Sequence, residues 1–248
     1  MTNWQNGYDH LFEAERNEPH DFEHFRTNKK YGFAVPYGNQ ADEPDYEALG
    51  KALALYPAYA GILMYDKPDL GYGNGLKYCK CDVIDSRHIM MLCHLHSFRE
   101  IFWNKIVIEI GGGWGNWAYL TRAINWTIVD LPWMLELQKW FIKESGLIRG
   151  NIKYVSNDDS SDFANKLDSV ELLIGSHSLS EFNWETFEQY AIDYFPKTKY
   201  FYYATHLTKP SPSLVTKKLD YIEQYFERVD TLLSEKDTVV NILYKYKL

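Results

Sequence analysis

The sequence predicts an α/β fold: a doubly wound, mostly parallel seven-stranded sheet with an antiparallel last strand, preceded by an N-terminal helical extension. Three observations carry this. From Lys105 onward, short β-branched and aromatic runs alternate with segments of helical period, an order that implies right-handed crossovers between parallel strands. The first run ends in a glycine-dense turn, VIEIGGGWGNWAYL over 107–120. The last two runs, RVDTLL and TVVNILYKYK, follow each other without a helix and read as antiparallel neighbours.

Residues 1 to about 40 are polar and weakly patterned. In NQADEPDYEALGKALAL (39–55), a loop feeds a helix, and Asp45 is placed to cap YEALGKALAL. The longest apolar stretch, ALALYPAYAGILMY (52–65), is broken by Pro57 and falls short of the ~20 residues that span a bilayer. KPDLGYGNGLKY (67–78) reads as a long loop and a candidate lid. DSRHIMMLCHLHSFREIFW (85–103) has the period of an amphipathic helix with Asp85 or Ser86 as its cap. Residues 1–104 are therefore expected to form an extension covering the site, and 105–248 the ligand-binding domain.

Within 105–248 the strands read KIVIEI, WTIVDL, IKYVSND, VELLIGS, KYFYYAT, RVDTLL and TVVNILYKYK. The helices read WAYLTRAI, PWMLELQKWFIKESG, NWETFEQYAIDYF and SPSLVTKKLDYIEQYF. In the second of these, Pro132 suits the first turn and Gly146 the end.

Bulk properties narrow the function classes. The chain has 248 residues, 46% of them hydrophobic, enough for a substantial core. Its net charge of −8, with no basic block, argues against a nucleic-acid partner, because that affinity comes largely from neutralising phosphates. Three cysteines suggest reduced thiols and a cytoplasmic setting. The N-terminus lacks the pattern of a signal peptide, and no membrane partner is expected. Twenty tyrosines among 17% aromatic residues read mainly as core and interface mass.

In such a sheet a ligand lies beyond the carboxyl ends of the strands, where strand order reverses. The glycine turn sits there. A dinucleotide fingerprint would need glycine at 116, which is Asn, and a phosphate loop would need Gly-Lys-Ser/Thr, which is absent. What stands is acid-x-Gly-x-Gly-x-Gly: Glu109, Gly111, Gly113 and Gly115. The second strand ends in Asp130, close to the ~20-residue offset of a ribose-binding acid. A capping role for Asp130 ahead of PWMLELQKW is the competing reading.

The acid-and-glycine pattern resembles motif I of the class I S-adenosylmethionine methyltransferases. The longer stretch VIEIGGGWGNWAYL…WTIVDLP is similar to a family of sugar O-methyltransferases, over about 105–207. Asp-Leu-Pro occurs in plant phenolic O-methyltransferases as well. The resemblance implies a Rossmann-like fold and S-adenosylmethionine as cofactor, held by Glu109, Gly111, Gly113, Gly115, Asp130, Leu131, Asn157, Asp158 and Ser176.

The fourth strand ends in LIGSHSLSEF (173–182), without the Asn/Asp-Pro-Pro-aromatic run of amino-methylating enzymes; this favours an oxygen acceptor. A hydroxyl benefits from a general base, and His177 is the first candidate. Glu181 is the second, as base or hydroxyl clamp, and His206 the third. The bland readings are a core or helix-start hydrogen bonder for His177 and a capping acid for Glu181. Ser176, His177, Thr205 and His206 stand where related enzymes place magnesium carboxylates, so no metal is expected. Cys79 and Cys81 with His88, His94 and His96 match no tetrahedral zinc spacing, and Arg87 or His88 could lean over the cleft.

The expected function is methyl transfer to a hydroxyl of a sugar, nucleotide-sugar or glycan, with a homo-oligomer admitted. The rivals are O-methylation of a phenol or other small metabolite, a methyltransferase-like scaffold without turnover, and a nicotinamide-dependent oxidoreductase.

Overall fold

A computed structural model describes residues 22–26, 45–65, 70, 83–98, 100–101, 104–121, 125–146, 151–207, 211–234 and 238–247. Apart from Leu70, the glycine-rich stretch 67–78 lies outside these residues, as do Cys79 and Cys81.

The N-terminal elements are a 3-10 turn at Phe22–His24, then α1 (Tyr46–Leu55), α2 (Pro57–Tyr65) and α3 (Val83–Ser97). Asp45 caps α1 as expected, its side chain accepting from the Ala48 amide at 3.0 Å. Pro57 does not simply break the apolar run. It opens α2, where a missing N–H costs nothing. Helix α3 starts two residues before Asp85, so neither Asp85 nor Ser86 caps it. The Ser86 hydroxyl instead accepts from the Asp45 amide at 3.1 Å.

The strands are β1 (Val107–Ile110), β2 (Asn125–Asp130), β3 (Asn151–Ser156), β4 (Val170–Ser176), β5 (Thr198–His206), β6 (Phe226–Ser234) and β7 (Val239–Tyr246). They form one sheet in the order β3-β2-β1-β4-β5-β7-β6. β7 pairs antiparallel with both β5 and β6, so six strands share a direction and one opposes them. The seven expected strands are all present.

Between the strands lie α4 (Asn116–Thr121), α5 (Pro132–Glu144), α6 (Ser160–Asn165), α7 (Ser178–Glu181), α8 (Trp184–Tyr194) and α9 (Pro212–Tyr225). Three starts follow directly from local chemistry. Pro132 opens α5, the Asn183 side chain accepts from the Thr186 amide, and Ser211 accepts from the Leu214 amide ahead of Pro212. The short helices α6 and α7 are too brief to leave a periodic signature in the sequence.

Two cores flank the sheet. On one face α1, α3, α4 and α5 pack Met90, Leu92, Trp117, Leu137 and Phe141 against Val107, Trp126 and Ile128. On the other, α8 and α9 pack Phe187, Tyr194 and Ile222 against Ile108, Ile110 and Phe201. Alternation along β1 and β2 puts Glu109 on the first face beside Val107, and Asp130 in line with Trp126 and Ile128. Order reverses between β1 and β4, and the glycine turn leaves the sheet at that point.

Candidate functional site

The turn after β1 is held by the protein on every side. Gly111 has φ +71°, Gly113 +55° and Gly115 +88°, a left-handed region that glycine enters without strain. The Gly111 amide donates to the Val129 carbonyl at 2.9 Å, tying the turn to β2. Some of the bareness serves neighbours rather than a ligand. A Cβ at Gly111 would sit on the Cβ of Ser178, and one at Gly112 would lie 2.6 Å from the Ile128 Cγ2. The Ser178 hydroxyl donates to the Ile110 carbonyl, so α7 is seated against the turn.

The two acids are buried together. The Glu109 Oε2 accepts from the Trp126 indole at 2.9 Å. The Asp130 Oδ1 accepts from the Leu131 amide at 2.8 Å, and its Oδ2 from the Gln138 side chain at 2.7 Å. The Gly112 amide also bonds to Asp130. A carboxylate offers about four acceptor positions, so about one is left for a further donor. Asp130 does not cap α5, whose N-cap is Leu131 without a side-chain hydrogen bond.

Burial pushes Glu109 up to about 8, opposed by the indole hydrogen bond and reinforced by the Asp130 charge. Burial likewise pushes Asp130 up to about 7, against its three hydrogen bonds. Neither carboxylate has an ion-pair partner among the described residues. Two buried acids without a cation fit a cationic ligand such as the sulfonium and ammonium of S-adenosylmethionine.

Beyond β3, Asn157 and Asp158 form a 3-10 turn and line a cleft of about 260 Å³ with Ser160, Thr186, Gln189 and Tyr190. Tyr190 is within electrostatic reach of Asp130, which puts this cleft next to the second-strand acid.

The third group is at the ends of β4 and β5. His177 has φ +66°, the one non-glycine in the left-handed region among the described residues. Such strain clusters at functional sites because the surroundings must over-determine it. Here the His177 amide donates to the Ala204 carbonyl at 3.1 Å, and the next turn is anchored by Lys218. Fully buried, Lys218 donates to the carbonyls of Leu179, Ser180 and Phe182 at 3.0, 2.8 and 2.5 Å. The His177 Nδ1 is buried without a partner, and its ring centroid lies 5.2 Å from that of His206. Burial, then His206 and Arg87, hold His177 down to about 3. Ser176 contacts the Met91 sulfur at 3.6 Å. Glu181 ends α7, where its amide donates to the His177 carbonyl at 3.1 Å; burial raises its carboxyl, opposed by the Lys218 charge.

The structure thus gathers Glu109, the glycines, Asp130, Leu131, Ser176, His177 and His206 along one edge of the sheet, with Asn157 and Asp158 beside it. Sequence reasoning missed Gln138 and Trp126. Gln138 was detectable as the polar residue on the apolar stripe of Met134, Leu135, Leu137, Phe141 and Ile142. His94 is engaged by Tyr202 and Asp230, and His88 by Asn116, so the α3 histidines serve packing and tethering. No helix among the described residues is long and apolar enough to cross a membrane.

No protein-family model and no curated protein matches the sequence. Solved structures do resemble it. A Pyrococcus horikoshii protein named as a candidate RNA methyltransferase superposes with a TM-score of 0.51 at 16% identity, over 66% of this chain and 85% of that one. A second protein, from Pyrococcus horikoshii OT3, gives 0.51 at 13% identity over 79% and 98%. An O-methyltransferase family 2 protein of Planctomyces limnophilus, solved with apigenin, gives 0.45 at 12% over 82% and 62%. The fold is the Rossmann-like fold of class I methyltransferases.

These likenesses correct the partner expectation. The exclusion of nucleic acid rested on net charge, yet the same architecture carries a protein named for RNA methylation. Charge summed over a chain does not describe the surface around one cleft. The sugar, nucleotide-sugar or glycan acceptor rested on resemblance alone, and both expectations are withdrawn.

Proposed function

We propose that the chain is a methyltransferase that uses S-adenosylmethionine and acts on an oxygen acceptor. The observation that carries this reading is the convergence on one sheet edge of a buried, cation-free pair of acids and a strained histidine with an unpartnered ring nitrogen. Residues 105–248 form the cofactor-binding unit, and the described elements within 22–101 pack against it.

Glu109, Asp130 and the backbone of 111–115 hold the cofactor, with Leu131, Asn157, Asp158 and Ser176 completing its surroundings. Asp130 offers its remaining lone pair to a ribose hydroxyl. When bound, S-adenosylmethionine supplies an electrophilic methyl group on a sulfonium. His177 accepts the hydroxyl proton, and His206 supports its ring. A base held as low as about 3 does not remove that proton before attack. It takes the proton late, when the oxygen carrying a new C–O bond is strongly acidic. Most of the acceleration then comes from holding the acceptor oxygen in line.

RNA is the acceptor to test first, in view of the Pyrococcus horikoshii protein's name, with phenolic hydroxyls as the comparison. The experiment is transfer of labelled methyl from S-adenosylmethionine to both panels, with wild type and His177→Ala. Label transfer that falls about 10²–10⁴-fold in the variant supports the reading. No transfer to any acceptor, together with no binding of S-adenosylhomocysteine, would reject it in favour of a scaffold.

A further inference from the structure

A four-glycine turn has little reason to prefer one shape. Ordering a residue's backbone costs conformational entropy, and glycine loses the most freedom. Something outside the turn must select its conformation. Between Gly113 and Gly115 stands Trp114, buried, and directly after Gly115 stands Asn116, also buried. Both are held by residues remote in sequence.

Residues 22–26 dock beside the turn. Phe22 packs on Trp140 at 5.9 Å, and Phe25 on Trp114, Trp140 and Phe141 at 6.0, 6.2 and 6.2 Å. Arg26 is fully buried with its guanidinium carbon 4.8 Å from the Trp114 ring centroid. Its Nη1 donates to the Asp85 Oδ2 at 3.3 Å, and Asp85 is fully buried too. The Asp85 Oδ1 accepts from the Asn116 Nδ2 at 2.9 Å. The same amide lies 2.9 Å from the His88 Nδ1. The His88 ring stands 5.8 Å from Trp114, on which Arg26 also lies.

A buried ion pair is weak as a source of stability, because desolvation offsets most of its attraction. Its value lies in geometry: Asp85 accepts from both Arg26 and Asn116, and this buried chain of contacts sets where Trp114 and Asn116 sit. This gives Asn116 a role that the missing dinucleotide glycine left open.

We propose that residues 22–26 clamp the glycine turn: Arg26 is a positioning residue that sets cofactor affinity through Asp85, Asn116 and Trp114, and clamp docking and cofactor binding are reciprocally coupled. The proposal rests on the reading that the turn holds S-adenosylmethionine. Whatever the clamp adds to cofactor affinity, the cofactor adds to clamp docking.

The test uses the full chain as wild type, Arg26→Met, Asp85→Asn and Asn116→Ala. Binding of S-adenosylhomocysteine is measured by calorimetry, and hydrogen exchange at 22–26 and 111–121 is followed with and without it. The expected result is a roughly 10–100-fold loss of affinity in each variant. Exchange at 111–121 should be at least about tenfold faster, and the ligand should slow exchange at 22–26 in wild type but not in Asn116→Ala. Affinity within twofold of wild type, or no ligand effect at 22–26, would overturn the coupling. If wild type binds no S-adenosylhomocysteine, the cofactor reading fails; exchange at 111–121 in Arg26→Met then decides the clamp, faster exchange keeping it and an unchanged rate removing it. Asn116→Ala leaves the Arg26–Asp85 pair in place and carries the same comparisons if Arg26→Met does not fold.

Discussion

The two halves of the sheet edge are built in opposite ways. Around Gly111 and Asp130 the polar atoms of the turn and its acids are largely engaged: Asp130 holds three donors, Glu109 an indole, and Ser178 sits on the turn. At His177 the backbone is strained, and a buried ring nitrogen has no partner. The first half is pre-formed, with about one acceptor position to spare on Asp130. The second keeps unsatisfied hydrogen-bonding capacity, where the proposed function brings an acceptor hydroxyl. A binding half should therefore tolerate little change in packing, while a chemical half should tolerate change in stability but not in turnover.

The largest effect should separate them. His177→Ala is expected to lower kcat/KM about 10²–10⁴-fold and leave S-adenosylhomocysteine affinity within about threefold. Equal losses in binding and turnover would merge the two halves. Gly111→Ala tests the binding half against a control in the same chain. Gly111 and Gly146 both have φ near +70°, but only Gly111 has a neighbour in the way. Gly146→Ala should cost about 1 kcal/mol of stability and Gly111→Ala about 3 or more, by urea denaturation. Equal costs would mean that the Ser178 contact yields freely. Gln138→Ala should cost about 1–2 kcal/mol by leaving Asp130 and the Gly113 carbonyl short of a donor.

The last effect is in pH. Glu109 and Asp130 have folded values of about 8 and about 7, above their ordinary 4.5 and 3.8. The folded state therefore binds more protons than the unfolded one between those values. Stability of the ligand-free chain should fall as pH rises from about 4 to 8, read as a falling Tm. Affinity for S-adenosylmethionine, a cation, should rise over the same range. A Tm that climbs from pH 5 to 8 while the other groups are accounted for would show that these acids are not held neutral.

Much of this was legible because it is periodic or local. VELLIGS, with β-branched and leucine residues between turn signals, could only be a buried strand, and β4 spans those seven residues. Asp45 and Pro132 announced helix starts by chemistry confined to one turn. The glycine turn and Asp130 were visible because their spacing is fixed by one strand-helix-strand unit. What stayed hidden depends on distance along the chain. Arg26 and Asp85 meet across 59 positions, and His94 reaches Asp230 across 136, with no periodicity to betray either. Asp85 looked like a helix cap because a cap needs only neighbours; its actual partners are remote. The acceptor was illegible for a different reason: one fold carries proteins of unlike substrates, so the fold does not name an acceptor.

The most direct test of the central claim is calorimetric titration with S-adenosylhomocysteine on wild type and Asp130→Ala, with NADH as the competing ligand. Micromolar binding, about −8 kcal/mol, that weakens at least tenfold in the variant, with no heat from NADH, is the predicted result. Binding of NADH, or no binding of S-adenosylhomocysteine by a folded wild type, would contradict it.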